Sequence, residues 1–113
     1  MATFDRGDIV SVALDPALGH EQQGRRPALV LTPSDFNRLG DTLVAPITQG
    51  GDYSRWAGFA VELTGTGCRT RGAALLNKAR MLDLTARKAR KIERAPQAVL
   101  DDALTRLIAL LDC

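Results

Sequence analysis

Asp8-Ile9-Val10-Ser11-Val12-Ala13-Leu14 and Arg26-Pro27-Ala28-Leu29-Val30-Leu31 decide how this chain folds, because each is a short apolar run bounded by turn residues. Runs of this length, rich in Val, Ile and Leu, read as strands with at least one buried face. Asp15-Pro16, Gly19 and Gly24 supply turn geometry to the loop between them. Pro27 biases Arg26 toward extended backbone, so the arginine leaves the loop at the mouth of the second strand, where a proline removes no central ladder bond. The loop itself, Gly19-His20-Glu21-Gln22-Gln23-Gly24-Arg25-Arg26, gathers the only histidine, a carboxylate, two amides and two arginines. Loops held between strands are where chemistry commonly sits.

Outward from this pair the pattern stays β. Strands are expected at about 8–14 and 26–32. Residues 33–38 read as a turn with at most a short helix, closed by Gly40. Residues 41–48 read as a third strand, in which Pro46 predicts an edge or a bulge and puts Thr48 where regular pairing fails. After a connection at 49–55, Phe59, Val61 and Leu63 alternate onto one face of a strand at about 58–63. Residues 72–77 and 79–84 give two further strands. Pro96 at a first helical position opens a C-terminal helix whose Leu100, Ala103, Leu104, Leu107, Ile108 and Leu111 recur at helical spacing, an apolar stripe that covers the core. Its outer edge is a candidate dimer surface. The expected class is mainly β with a C-terminal helix: a small, strongly curved antiparallel sheet or partial barrel, in one domain over residues 1–113.

Composition narrows the function classes. At 113 residues, 45% apolar and 25% charged, the chain is ordinary for a folded domain. No apolar run approaches the roughly 18–20 residues of a membrane span. The polar start, Met1-Ala2-Thr3-Phe4-Asp5-Arg6, leaves no room for a secretory leader, so the cytoplasm is the expected address. Cys68 and Cys113 belong to no Cys-x-x-Cys motif and are expected as free thiols, and a single histidine argues against structural zinc. With one histidine and no nucleophile-elbow motif, nothing in the chain argues for a Ser-His-acid triad. The net charge of +2 hides an uneven distribution, since residues 69–94 hold Arg69, Arg71, Lys78, Arg80, Arg87, Lys88, Arg90, Lys91 and Arg94 against Asp83 and Glu93. Such a segment reads as a basic face suited to a polyanion such as RNA, or as a solvated surface balanced elsewhere. Tyr53 and Trp56 flank Arg55, an interleaving that suits stacking of an unpaired base, while Trp56 serves equally as a core anchor.

Taken in order, Gly7-Asp8-Ile9-Val10, Asp15-Pro16, Gly19 to Gly24, Arg26 to Leu31 and Ala45-Pro46-Ile47-Thr48-Gln49-Gly50-Gly51 resemble the MazF/PemK/Kid toxins of type II toxin-antitoxin systems. Ala57 to Val61 and Asn77-Lys78-Ala79-Arg80-Met81-Leu82-Asp83-Leu84 continue the match over nearly the whole chain, most closely to the ChpB and PemK/Kid branches. The resemblance implies an SH3-like antiparallel barrel with a C-terminal helix, the PemK/CcdB-like toxin fold, working as a homodimer. It implies a ribosome-independent, sequence-specific endoribonuclease acting on single-stranded RNA such as mRNA.

Family residues tied to catalysis, the arginine of the Arg-Pro pair and the threonine after Pro-x, fall on Arg26 and Thr48. His20 and Glu21 match the loop that covers the RNA site, and either is a candidate base. RNA contacts are implied for Gln22, Arg25, Gln49, Arg55, Trp56, Arg71, Asn77, Lys78 and Arg80. Kid-like members carry an arginine and an aspartate where this chain has Leu75 and Asn77, as ChpB-like members do, so an acid-base scheme built on that aspartate does not transfer. The implied chemistry is attack of a ribose 2'-hydroxyl on the adjacent phosphate, with no metal and no cofactor. The implied partner is a MazE/PemI/ChpS-like antitoxin with an acidic extended tail, the toxin-antitoxin complex being a candidate binder of operator DNA. Two rival readings are a non-enzymatic toxin that traps DNA gyrase, as CcdB does, and an inactive antitoxin-binding corepressor.

Overall fold

Asp8–Ala13 (β1) and Arg25–Val30 (β2) pair antiparallel, with Ile9 opposite Leu29 and Ala13 opposite Arg25. The computed structural model describes residues 3–13, 25–50 and 58–112. Beyond β2 come a one-turn helix Ser34–Asn37 (α1), Thr42–Thr48 (β3), Ala60–Glu62 (β4), Ala73–Leu75 (β5), Arg80–Leu82 (β6), Arg90–Arg94 (β7) and the helix Gln97–Leu111 (α2). One seven-stranded sheet runs in the order β4-β5-β3-β2-β1-β7, with β6 also on β3. All its pairings are antiparallel. The expected curved sheet with a C-terminal helix is what forms, and among the described residues its ladder stays open.

The two prolines sit where a missing N–H does no harm. Leu31 donates to the Leu43 carbonyl (2.9 Å), so the odd residues of both strands face each other. By alternation Pro46 turns its nitrogen to the other edge of β3, where β6 pairs with 42–44 and β5 with 47 and 48. The proline therefore occupies the gap between two partner strands, and this gap, rather than a sheet edge, realises the irregularity its presence predicts. Pro27 turns its nitrogen toward β3 beyond the last ladder pair, Ala28 with Pro46.

Alternation fills both faces of the sheet. Ile9, Leu29, Leu31, Ala45, Ile47, Val61 and Leu63 bury on one face beneath Val99 and Ala103 of α2. Val10, Val12, Ala28, Val30, Val44, Leu82 and Leu84 bury on the other. Each Val, Leu or Ile among them contributes about 1.5–3 kcal/mol on burial. Phe59 is half-buried beside Val61 and Leu63, as the alternation predicts. The entry of α1 is fixed by a satisfied polar staple: Thr32 Oγ1 donates to Asn37 Oδ1 (2.6 Å), and Asn37 Nδ2 donates to the Phe4 and Thr32 carbonyls (2.8 Å each).

Three features depart from the sequence reading. Arg90–Arg94 forms a strand on β1, which its charged composition conceals. Residues 76–78 leave the extended conformation for a single 3-10 turn, so the strand expected over 72–77 is only three residues long. Pro96 is the N-cap residue of α2 rather than its first helical residue, and the apolar stripe outruns the sheet, leaving Ile108 and Leu111 65% and 78% exposed.

Gly72 sets how closely β5 approaches the end of β3. Its φ is +114°, and a Cβ there would overlap the Thr48 carbonyl oxygen. Gly67 has φ +99° with open space around it. Gly67→Ala should therefore cost about 1 kcal/mol from backbone strain alone, and Gly72→Ala about 2–4 kcal/mol, because backbone must also move. Urea unfolding of the two variants measures this, and equal losses would remove the steric argument.

Candidate active site

The β2–β3 ladder ends at Ala28 opposite Pro46, and extending its register by two residues sets Arg26 opposite Thr48. No pair forms there, because Pro27 offers no donor on that side and β3 turns its other edge to β5 through Thr48 and Ala73. Thr48 thus loses pairing on one edge and keeps it on the other. The strands part, and Arg26, Pro46, Ile47, Thr48, Leu75 and Lys78 line a cavity of about 250 Å³. Arg26 is exposed at its rim. Thr48 is half-buried, and its hydroxyl donates to the Gly50 carbonyl (2.9 Å), a bond an incoming anion has to replace to receive the proton.

A second cavity of about 250 Å³ adjoins the first, lined by Ser11, Arg25, Arg26, Pro27, Gln49, Arg69, Thr70 and Ile92. Arg26 borders both. The structure therefore brings Arg26, Thr48 and Lys78 to one cavity and Arg25, Arg26 and Gln49 to the other. Arg25 is also a strap: its Nε donates to Ser11 Oγ (3.2 Å), and its Nη2 donates to the carbonyls of Ser11 (2.8 Å) and Lys88 (3.0 Å). Asn77 lies in the 3-10 turn after β5, and its buried Oδ1 meets no hydrogen-bond donor among the described residues. Arg71 and Arg80 are exposed and line neither cavity. His20, Glu21, Gln22, Arg55 and Trp56, with the aromatic pairing of Tyr53 and Trp56, lie outside the described residues.

Several cations of the basic segment are engaged within the fold. Lys91 and Arg94 both reach the buried Asp8 carboxylate (3.3 and 3.5 Å). Arg87 donates to the Ala13 carbonyl (2.6 Å), at the last described residue of β1. Arg69 donates from Nη2 to the Ile92 carbonyl (2.9 Å). Sequence reasoning missed Thr70 and Glu93, which build this side of the site. The Glu93 carboxylate, 12% exposed, accepts from Thr70 N and Oγ1 (2.7 Å each) and from Arg69 N (3.0 Å). Its one visible signal was a lone acid amid arginines and lysines. Burial disfavours the Glu93 charge, but the hydrogen bonds from Thr70 and Arg69, with the Arg69 charge, outweigh it and hold the carboxyl below its ordinary value of 4.5.

An exposed guanidinium, a hydroxyl and an ammonium around one cavity, with a second cavity beside them, are groups whose chemistry suits a phosphodiester or another anion. Residues 5–111 match the PemK-like, MazF-like toxins of type II toxin-antitoxin systems, and the chain belongs to that family. It is 54% identical to the endoribonuclease toxin ChpB of Escherichia coli K12 over 110 residues, 96% of this chain and 95% of that one. It is 45% identical to the Escherichia coli endoribonuclease PemK over 109 residues, 96% of this chain and 82% of that one. A crystal structure of MazE-MazF from Deinococcus radiodurans aligns with a TM-score of 0.83 at 34% identity, covering 99% of this chain and 98% of that one.

The depressed Glu93 pKa has a signed consequence. Its contribution to stability is complete above pH 4.5 and is lost as pH falls through the lowered folded value. Wild type should be more stable than Glu93→Gln at neutral pH, with the gap narrowing in acid. Thermal melts of both proteins from pH 7 to pH 3 measure this, and a gap that widens on acidification would contradict the assignment.

Proposed function

We propose that this chain is the toxin of a toxin-antitoxin pair and a sequence-specific, ribosome-independent endoribonuclease that cuts single-stranded RNA without a metal ion. The observation that carries the reading is that Arg26, Thr48 and Lys78 line one cavity at the point where β2 and β3 part. Family membership and the name endoribonuclease on ChpB and PemK support it.

In the proposed reaction a ribose 2'-oxygen attacks the adjacent phosphorus as its proton passes to a base, His20 or Glu21. The bond from phosphorus to the 5'-oxygen breaks, and that oxygen takes a proton, leaving 2',3'-cyclic phosphate and 5'-hydroxyl ends. Arg26 stabilises the charge that builds on the phosphoryl oxygens, where a preorganised cation contributes most. Arg26 also hydrogen-bonds the water that passes a proton to the leaving 5'-oxygen. Thr48 orients a phosphoryl oxygen once its hydroxyl exchanges the Gly50 carbonyl for substrate. Gln49, Lys78 and Arg25 contact the RNA from the cavity walls, and Gln22, Arg55, Trp56, Arg71, Asn77 and Arg80 complete the set of proposed RNA contacts.

The protein works as a homodimer in the cytoplasm; among the described residues no helix is long and apolar enough to cross a membrane. A MazE-like antitoxin with an acidic extended segment neutralises it by competing with RNA for the arginine-lined surface, and the pair together engages operator DNA. The deciding experiment incubates the protein and Arg26→Ala with long single-stranded RNA in excess EDTA and maps the ends. Discrete cuts with cyclic-phosphate ends, reduced roughly 10²–10³-fold in the variant, are expected. No cutting, or equal cutting by the variant, would overturn the nuclease reading in favour of a gyrase-binding or corepressor role.

A further inference from the structure

The second cavity beside Arg26 has a wall that no ladder builds. Arg69 and Thr70 lie in the connection between β4 and β5, at one end of the sheet, whereas Ile92 and Glu93 lie on β7 at the other. These ends are joined through side chains. Glu93 receives Thr70 N, Thr70 Oγ1 and Arg69 N within 3.0 Å, and Arg69 returns a bond to the Ile92 carbonyl. Glu93 is itself held in register by the ladder that pairs it with Ile9. Three donors on one nearly buried carboxylate fix both the position and the orientation of the segment that carries Arg69.

The lining has the chemistry of a nucleotide subsite. Arg69 supplies a cation for a phosphate, Gln49 and Thr70 offer polar edges for a base, and Pro27 and Ile92 offer apolar surface for its face. We propose that this cavity seats a nucleotide adjoining the scissile phosphate, and that Glu93 is a positioning residue that holds the Arg69–Thr70 wall of that subsite in place. The proposal rests on the endoribonuclease reading above and adds a specificity-determining subsite to it. Glu93 touches no substrate; it acts through Arg69 and Thr70.

The test combines enzyme variants with shortened substrates. Oligoribonucleotides spanning a mapped cleavage site are trimmed one nucleotide at a time from either end, and kcat and KM are measured for wild type, Glu93→Gln and Arg69→Ala. On the full site both variants are expected to raise KM about tenfold with kcat within about twofold of wild type. Removing the nucleotide that fills the cavity should raise the wild-type KM by a similar factor and erase the difference between wild type and variants, because the same interaction is then absent from both. Arg69→Ala leaves the backbone bonds to Glu93 intact, so it carries the test even if Glu93→Gln fails to fold. A penalty that stays the same on every trimmed substrate, a fall in kcat without a change in KM, or an unchanged KM would each overturn the subsite. Failure of wild type to cut any RNA would instead remove the reading beneath it.

Discussion

β3 has two edges and serves three strands. β2 takes one edge, while β6 and β5 divide the other into an N-terminal and a C-terminal half. Pro46 is tolerated at the centre of the sheet because its missing donor falls in the space between those two partners. Handing the C-terminal half to β5 also draws β3 away from β2, and Pro27 ensures that no ladder bond resists the separation. The irregularity that accommodates a proline and the opening that exposes Arg26 are thus one feature. Gly72 completes it, since only a residue without Cβ lets the chain entering β5 come so near the Thr48 carbonyl.

An open, arginine-rich sheet needs its ends secured, and two acids do this. Asp8, 6% exposed at its side chain, holds Lys91 and Arg94 and so fastens β7 to β1, while Glu93 fastens β7 to the connection between β4 and β5. Both carboxylates are largely shielded from water while their cations stand half or more exposed, so loss of the partners leaves a desolvated charge behind. The exposed Arg38–Asp35 pair contributes about 0–1 kcal/mol. Position therefore outweighs number among these charges. Cations engaged by Asp8 or by backbone carbonyls organise the sheet, and Arg26 is left at the rim of two cavities.

Much of this was readable in the chain. Apolar alternation located the strands of the core, and helical spacing located α2. The Arg-Pro pair and the threonine two residues after Pro46 drew attention to Arg26 and Thr48. β7 was not readable, because Arg-Lys-Ile-Glu-Arg has one apolar residue and is a strand only by virtue of the β1 edge it meets. Glu93 and Thr70 were not readable either, since a carboxylate and a hydroxyl 23 residues apart carry no local signal of their hydrogen bond.

The sequence by itself determined the apolar strands and the terminal helix and singled out Arg26 and Thr48, because periodicity, turn residues and prolines act over a few neighbouring positions. Tertiary structure alone decided that Arg26 and Thr48 share a cavity where β2 and β3 part, that Arg25 is tied to Ser11 and Lys88 while Arg26 is not, and that Glu93 holds a second cavity wall. Each of these depends on strand register and on contacts between opposite ends of a curved sheet, which are set by how the whole chain packs.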